Sequence, residues 1–342
     1  MGLLFLFLDG VGIGEAGDQN PFSRDAPRVL GALGGEGGGP VPFGGRMVPL
    51  DAALGVAGLP QSATGQTSLL TGVNAQALLG RHLQGFPNRA LREVIAGHGL
   101  LRRAAPLGET AFANAYTPRF FDPNEKAAES VTTVATRAAG IPLKRLDDLR
   151  AGRALFHDFT NRVLIERGYD APLWEAAEAG VRLGRIAEAH HLLLYEHFLT
   201  DVAGHTADAG KGAEHAARVD AFLWALLESV DLFRQSVLVT SDHGNLEDCS
   251  TRSHTRNPVP AFLWGPAAET LPDRLRALTD VTPAVLDFLE ASAPRTAGVE
   301  AWQRQALPLP PSSPRTAGGR MPPPPDVGNL PPKAKVRGRR VR

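Results

Sequence analysis

The sequence is poor in cysteine and has no long apolar run near its amino terminus. Cys249 is the only cysteine among 342 residues, so an internal disulfide framework is excluded and a reducing, cytoplasmic setting is expected. The apolar run at residues 3–8, LLFLFL, has no basic segment before it. Because it is too short for a signal peptide or a membrane span, we expect no membrane partner. Its composition instead predicts a buried β-strand.

Net charge is also missing, since 36 basic residues balance 36 acidic ones. The balance hides an asymmetry, because residues 305–342 hold eight Lys and Arg, one Asp and 10 of the 28 prolines. Such a composition cannot bury a core and predicts a disordered, Pro/Arg-rich tail. The excess of positive charge is confined to this tail, which we interpret as an extension, and we do not expect nucleic acid as a partner. The oligomeric state stays open.

Short continuous apolar runs, typical of buried parallel strands, recur along the chain. Four clear runs and a weaker fifth lie at 3–8, 192–199, 236–241, 259–264 and 110–116. Between or after them, helical patterns lie at 175–190, 219–233 and 282–290, the last with Thr282 as N-cap and Pro283 at its first position. This alternation predicts a three-layer α/β fold: a doubly wound, mostly parallel sheet with helices on both faces.

The organisation predicted from these patterns is one core with an insertion. Residues 1–116 and 183–300 would form the core, because the strand-like runs fall within these two segments. Residues 117–182 are less periodic and predict a small cap or insertion.

Polar residues follow several of the predicted strands at the point where each strand ends. The carboxylates and imidazoles in these positions are Asp9, Asp201, His205, Asp242, His243 and His254. Because ligands of open α/β sheets bind beyond the carboxyl ends of the strands, we expect the six side chains to converge. Their mixture of oxygen and nitrogen donors suits zinc or manganese. Six unpaired polar groups would be costly to bury, and two divalent cations would satisfy them.

These strand ends resemble the alkaline phosphatase superfamily, and within it the cofactor-independent phosphoglycerate mutases and phosphopentomutases. The segments that carry the resemblance are FLDGVGIGE (7–15), TDVAGHTAD (200–208), TSDHGNLED (240–248), SHTRNPVP (253–260) and DVTPAVLDFL (280–289). The resemblance covers roughly residues 1–110 and 185–290. It implies two metal sites about 4 Å apart. One would be held by Asp201, His205 and His254, and the other by Asp9, Asp242 and His243.

The resemblance also singles out one hydroxyl in the stretch LPQSATGQTSLLTG, residues 59–72. In the mutases the nucleophile is the first residue of a Ser/Thr-x-x-Gly-His pattern, which falls on Ser62 here. Sulfatases end the equivalent stretch with Ser-Leu-Leu-Thr-Gly, and that register gives Ser62 again. A following helix N-terminus would favour an anion there. Thr64 and Gln66 stand where sulfatases require Pro and Arg, so a sulfatase is not predicted, and Gln66 also replaces the His of the mutase pattern.

Phosphoryl transfer through a phosphoserine at Ser62 is the function that the resemblance implies, with a small phosphorylated substrate. Release of the phosphoryl group to water would make a phosphatase or phosphodiesterase, which the small cap favours. Its return to another oxygen of the substrate would make a phosphomutase, which needs a closed cap. A non-catalytic metal-binding protein is the alternative of another class. The weaker candidates for substrate contacts are Asn20, Arg81 and His82.

Overall fold

The computed structural model describes residues 1–24, 27–35, 40–125 and 127–293. The strands within this part are β1 Gly2–Leu8, β2 Arg46–Leu50, β3 Thr110–Phe112, β4 Ala115–Tyr116, β5 Lys144–Arg145, β6 Leu192–His197, β7 Gln235–Thr240 and β8 Val259–Trp264. Six of them form the central sheet in the order β2-β8-β7-β1-β6-β3, while β4 and β5 pair separately. Within the central sheet only β8 runs opposite to its neighbours. The prediction of a mostly parallel sheet is confirmed.

Twelve α-helices connect or flank these strands in the described residues. Their bounds are α1 Ser62–Thr71, α2 Ala75–Leu79, α3 Arg89–His98, α4 Leu100–Ala104, α5 Val131–Ala138, α6 Leu146–Arg150, α7 Arg162–Glu166, α8 Ala176–Glu188, α9 Leu199–Gly204, α10 Ala209–Ser229, α11 Pro266–Thr270 and α12 Leu278–Ser292. Short 3₁₀ turns lie at Pro21–Ser23, Leu30–Leu33, Ala105–Leu107, Pro118–Phe121 and Pro272–Arg274. None of the described helices has both the length and the apolar character needed to cross a membrane.

Helices cover both faces of the sheet. The even-numbered leucines of β1 belong to a core that includes residues of α8 and α10. Leu3, Phe5 and Phe7 belong to the opposite core, which includes residues of α1, α4, α5 and α12. Because both faces are buried, a central strand is apolar at every position rather than at alternate ones. The predicted three-layer arrangement is therefore present.

The strand predictions differ from the structure in three places. The run predicted at 110–116 is split, because Thr110–Phe112 joins the central sheet as β3 whereas Ala115–Tyr116 pairs with β5 as β4. The run predicted at 192–199 ends as a strand at His197, because Phe198 and Leu199 already turn into α9. Strand β2 was not predicted. It pairs antiparallel with β8 at the edge of the sheet and is only partly buried. An edge strand that contains Pro49 has neither a continuous apolar run nor an alternating pattern.

The predicted N-terminus of the last helix is wrong. Helix α12 begins at Leu278 and contains Pro283 in its interior. The Asp280 carboxylate accepts the backbone N–H groups of Arg276 and Ala277, both at 2.9 Å, and so closes the first turn. The Thr282 hydroxyl instead donates to the Leu69 carbonyl near the end of α1, at 2.8 Å. Thr282 therefore links α12 to α1 through a hydrogen bond and is not an N-cap.

The predicted insertion contributes helices to the layers. Helix α5 packs against α1, α3 and α4, and α8 packs along α10. Residues 1–294 form one compact unit. The bounds 117–182 for an insertion stay a prediction, and the predicted tail at residues 305–342 lies outside the described residues.

Candidate metal centre

The six predicted donors meet beyond the carboxyl ends of the parallel strands. Asp9 directly follows β1, and Asp242 and His243 follow β7 after one further residue. The other three donors lie on α9, at its C-cap and in the loop before β8: Asp201, His205 and His254. The convergence predicted from the strand ends is thus present in the structure.

Two groups of donors share one carboxylate. Asp201, His205 and His254 form the first group, and Asp9, Asp201 and His243 form the second; within each group the ligand atoms lie within 4.8 Å of one another. In the first group the two imidazole Nε2 atoms lie 3.2 and 3.5 Å from the Asp201 oxygens. In the second, His243 Nε2 lies 3.3 Å from Asp9 Oδ1. Asp242 borders the second group, with Oδ2 3.5 Å from His243 Nε2. Asp201 therefore stands between the two groups.

All three imidazoles are held in the same tautomer by backbone carbonyls. The Nδ1 atoms of His205, His254 and His243 lie 2.8, 2.9 and 3.3 Å from the carbonyl oxygens of Arg252, Pro60 and Gly244. A carbonyl only accepts hydrogen bonds, so each Nδ1 carries the proton and each Nε2 keeps a lone pair. Burial, and then His254, lowers the pKa of His243 to about 3, so its ring is neutral. Lone pairs that face carboxylate oxygens repel unless a cation lies between them.

Two carboxylate oxygens in the centre have no hydrogen-bond partner among the described residues. These buried atoms are Asp9 Oδ1 and Asp242 Oδ2. Burial raises the pKa of Asp9 well above its usual value, and the neighbouring Asp242 and Asp201 raise it further. The pKa of Asp242 rises to about 7, first through burial and then through Asp201. Buried, mutually repelling carboxylates with free oxygens are what a divalent cation satisfies, so the residues present fit a metal.

Two glycines allow the site's elements to approach each other closely. A Cβ on Gly10, which has a φ of +70°, would lie 2.6 Å from Asp201 Oδ1. A Cβ on Gly65 would lie 2.7 Å from the Asp242 carbonyl oxygen. Both distances are shorter than any ordinary carbon contact. Glycine is therefore what brings the first turn of α1 against the end of β7 and the end of β1 against α9.

Ser62 is the first residue of α1, and its hydroxyl faces the centre. Its Oγ lies 3.0 Å from His243 Nε2. Because that nitrogen keeps a lone pair, the Ser62 hydroxyl is the donor. The other four hydroxyls of the stretch donate elsewhere: Thr64 to Gln61, Thr67 to Ala63 and Thr71 to Thr67, all at carbonyl oxygens, and Ser68 to the Gln76 side chain. Of the five, only Ser62 faces the metal donors.

The three weaker candidates for substrate contacts lie outside both donor groups. The Asn20 side chain is buried and uses its amide on the backbone of its own loop, at Glu15, Leu33 and Phe22. His82 Nε2 lies 3.1 Å from the Val56 carbonyl oxygen. Arg81 is exposed. Asn20 therefore holds a loop together, and the ring of His82 joins two loops.

Three supporting residues were not predicted. Gln66 Nε2 donates to Asp9 Oδ2 at 3.1 Å, and Asn245 Nδ2 donates to Asp201 Oδ1 at 2.6 Å. The Thr200 hydroxyl donates to the Asp9 carbonyl oxygen at 2.5 Å. The sequence could have pointed to two of them. Gln66 departs from both family patterns, and Asn245 directly follows the Asp-His-Gly element. Nothing in the sequence distinguished Thr200.

A buried carboxylate ties the loops of the centre together. Glu247 accepts the backbone N–H groups of Gly12 and Asn245, both at 2.8 Å. The same side chain accepts the Thr255 hydroxyl and the Asn257 amide. It thereby joins the loop after β1 to the loop between β7 and β8.

Comparison with known proteins finds a family similarity for the part of the chain that carries most of these donors. Residues 181–293 match the metalloenzyme superfamily. The 2,3-bisphosphoglycerate-independent phosphoglycerate mutase of Desulforudis audaxviator is 33% identical over 113 residues, which are 31% of this chain and 22% of the mutase. The enzyme of the same name from Haloquadratum walsbyi is 33% identical over 111 residues, 30% of this chain and 22% of the mutase. The match thus spans about a fifth of these relatives' length.

A solved structure of alkaline phosphatase from the Antarctic bacterium TAB5 is also similar. It has a TM-score of 0.49 and 13% sequence identity, and covers 85% of this chain and 98% of its own. The family match includes Asp201, His205, Asp242, His243 and His254. Residues 181–293 are therefore similar to the metalloenzyme superfamily, the likeness that the strand-end motifs predicted.

Proposed function

We propose that the protein is a phosphoryl-transfer enzyme that works with two divalent metal ions and uses Ser62 as nucleophile on a small phosphorylated metabolite. The observation that carries this proposal is the position of the Ser62 hydroxyl, 3.0 Å from His243 Nε2, beside both donor groups. No other hydroxyl of the stretch 59–72 faces the donors.

Two ions would be held by the donors already described. Asp201, His205 and His254 would hold one ion, and Asp9, Asp242 and His243 the other. Asp201 belongs to both donor groups and would be available as a ligand to either ion. The mixture of carboxylates and imidazoles suits manganese or zinc. When bound, the ions would lower the pKa of the serine hydroxyl and neutralise charge on the phosphoryl oxygens.

Ser62 would carry out the reaction, and the residues around it would hold the reacting groups in place. Ser62 Oγ would form a bond to phosphorus as the bond from phosphorus to the substrate alcohol breaks, and the alcohol leaves with a proton. Ser62 is the first residue of α1, and the positive end of the helix dipole favours negative charge there. Gln66 holds the carboxylate of Asp9 in place. Water would then attack the phosphoserine, release phosphate and regenerate the hydroxyl.

A phosphomutase is the second candidate, and the names of the relatives favour it. Both relatives described above are phosphoglycerate mutases, although the match covers only 22% of each. A mutase would return the phosphoryl group from Ser62 to another oxygen of the substrate. An assay with a generic aryl phosphate distinguishes the two: steady phosphate release supports the hydrolase. Interconversion of sugar or glycerate phosphates without release supports the mutase.

The substitution Ser62→Ala tests the nucleophile itself. We expect at least about a 1,000-fold loss of kcat with metal content unchanged, because the hydroxyl is not among the proposed ligands. Metal content and turnover are measured on the same preparation. Thr71→Ala, at the far end of α1, is the matched control and should keep its activity. Persistent activity in Ser62→Ala would rule out this nucleophile, and metal binding without turnover of any phosphate ester in the wild type would favour the non-catalytic alternative.

A further inference from the structure

A cavity walled by aromatic rings lies at the carboxyl ends of β3 and β6. Its volume is about 590 Å³. We name it the aromatic pocket, and its ring-bearing wall residues are Phe86, Tyr116, Phe120, Phe156, His157 and Phe198. Nothing in the proposed phosphoryl chemistry uses this cavity.

Two walls of the aromatic pocket belong to segments that carry the metal centre. Phe198 directly precedes α9, the helix that holds Asp201. Phe86 lies three residues beyond Leu83, whose backbone pairs with Thr64 in the first turn of α1 through hydrogen bonds of 3.2 and 3.3 Å. The pocket therefore lies between the segment that follows the proposed nucleophile and the helix that holds the shared ligand.

The polar floor of the pocket lies on the same face of the sheet as the proposed nucleophile. Glu196 lines the pocket and is paired with Phe7 of β1, two residues before Asp9. Its carboxylate accepts the Thr132 hydroxyl of α5 at 2.5 Å, and α5 packs beside α1. The pocket and the proposed nucleophile therefore lie on the same face of the sheet.

The chemistry of the walls selects a flat ring. His157 stacks on Phe198 with centroids 4.4 Å apart, and Tyr116 lies 4.4 Å from Phe120. Exposed faces of such rings bind aromatic ligands by stacking. The pocket also offers hydrogen bonds, because His157 Nδ1 is buried without a partner and Arg167 lines the opening. The cavity is of the size that encloses a drug-sized ligand, and a three-carbon alcohol would leave most of it empty.

We propose that the aromatic pocket binds the alcohol part of the substrate, and that this alcohol carries a flat aromatic ring with hydrogen-bonding edges, as a nucleoside does. The inference rests on the proposed function, since it names the substrate class of the same site. The substrate would be a nucleoside monophosphate, with its phosphate at Ser62 and its base between the rings of the pocket.

The test compares two substrates and two variants of the full-length, metal-loaded protein. Phe86→Ala removes a wall residue that is 56% exposed, so the fold should tolerate it. Phe233→Ala is the matched control, because Phe233 is 93% exposed and lies before β7, at the end of that strand opposite to Asp242. We expect Phe86→Ala to lower kcat/KM for adenosine monophosphate about five- to tenfold and to leave glycerol phosphate unchanged. The control should change neither.

Binding of adenosine alone, followed by saturation-transfer NMR, separates this inference from the proposed function. Adenosine has no phosphate, so its binding needs neither Ser62 nor a metal. Loss of that binding in Phe86→Ala supports the pocket even if no phosphate ester is turned over, in which case only the proposed function fails. The inference is overturned if adenosine does not bind the wild type, or if Phe86→Ala changes both substrates equally.

Discussion

Asp201 belongs to both donor groups. Its Oδ1 and Oδ2 face the imidazoles of His254 and His205, and it also belongs to the group of Asp9 and His243. The side chain of Asn245 holds it in place. The resemblance assigned Asp201 to one site only, because a motif names residues and does not show the distances between them.

Substitutions of Asp201 and His205 should therefore differ in metal stoichiometry. We expect His205→Ala to lose one ion, since His205 belongs to one donor group. Asp201→Asn should weaken both ions by at least about 10- to 100-fold. Metal titration followed by elemental analysis of the desalted protein measures both effects. Equal loss of a single ion from the two variants would contradict the shared position of Asp201.

At the scale of elements, the contact between α1 and α12 shows what a helix pattern cannot predict. The sequence around Thr282 and Pro283 has the form of a helix start, yet α12 begins earlier at Leu278. The Thr282 hydroxyl donates a hydrogen bond to the Leu69 carbonyl of α1, which is 213 positions away in the sequence. A local pattern cannot distinguish the start of a helix from a hydroxyl that satisfies the end of another.

Thr282→Val should lower the free energy of unfolding by about 1–2 kcal/mol, because it leaves a buried helix carbonyl without a donor. The isosteric change keeps the packing volume, so the loss reports the hydrogen bond. Urea unfolding followed by circular dichroism measures it. Thr279→Val is the control, since Thr279 donates no side-chain hydrogen bond among the described residues. A loss of the same size in both variants would show that the hydrogen bond contributes nothing specific.

For the molecule as a whole, the metal centre joins segments that are far apart in the sequence. Its donors come from the ends of β1 and β7, from α9 and from the loop before β8. Without a cation, these segments place free carboxylate oxygens and imidazole lone pairs against one another. The folded state should therefore be more stable with metal than without it.

Chelation at neutral pH should lower the Tm of the protein, and added Mn²⁺ or Zn²⁺ should restore it. At a free metal concentration of 100 times the Kd, the gain is about 3 kcal/mol, or about 5–10 °C in a chain of this size. Differential scanning fluorimetry measures the shift. Asp242→Asn provides the comparison, because it removes a buried carboxylate and should reduce the metal-dependent shift. A Tm that does not respond to chelator or to metal would contradict a metal centre that links these segments.

The sequence by itself determined the layers of the fold and singled out six candidate donors. Buried parallel strands must be apolar throughout, and the polar residues at their ends have to meet at one edge of the sheet. The tertiary structure decided which candidate donors lie together, which of five hydroxyls faces them and that Gln66 donates a hydrogen bond to Asp9. It also decided the edge strand β2 and the start of α12. These features depend on distances between segments far apart in the sequence, which local composition and spacing do not encode.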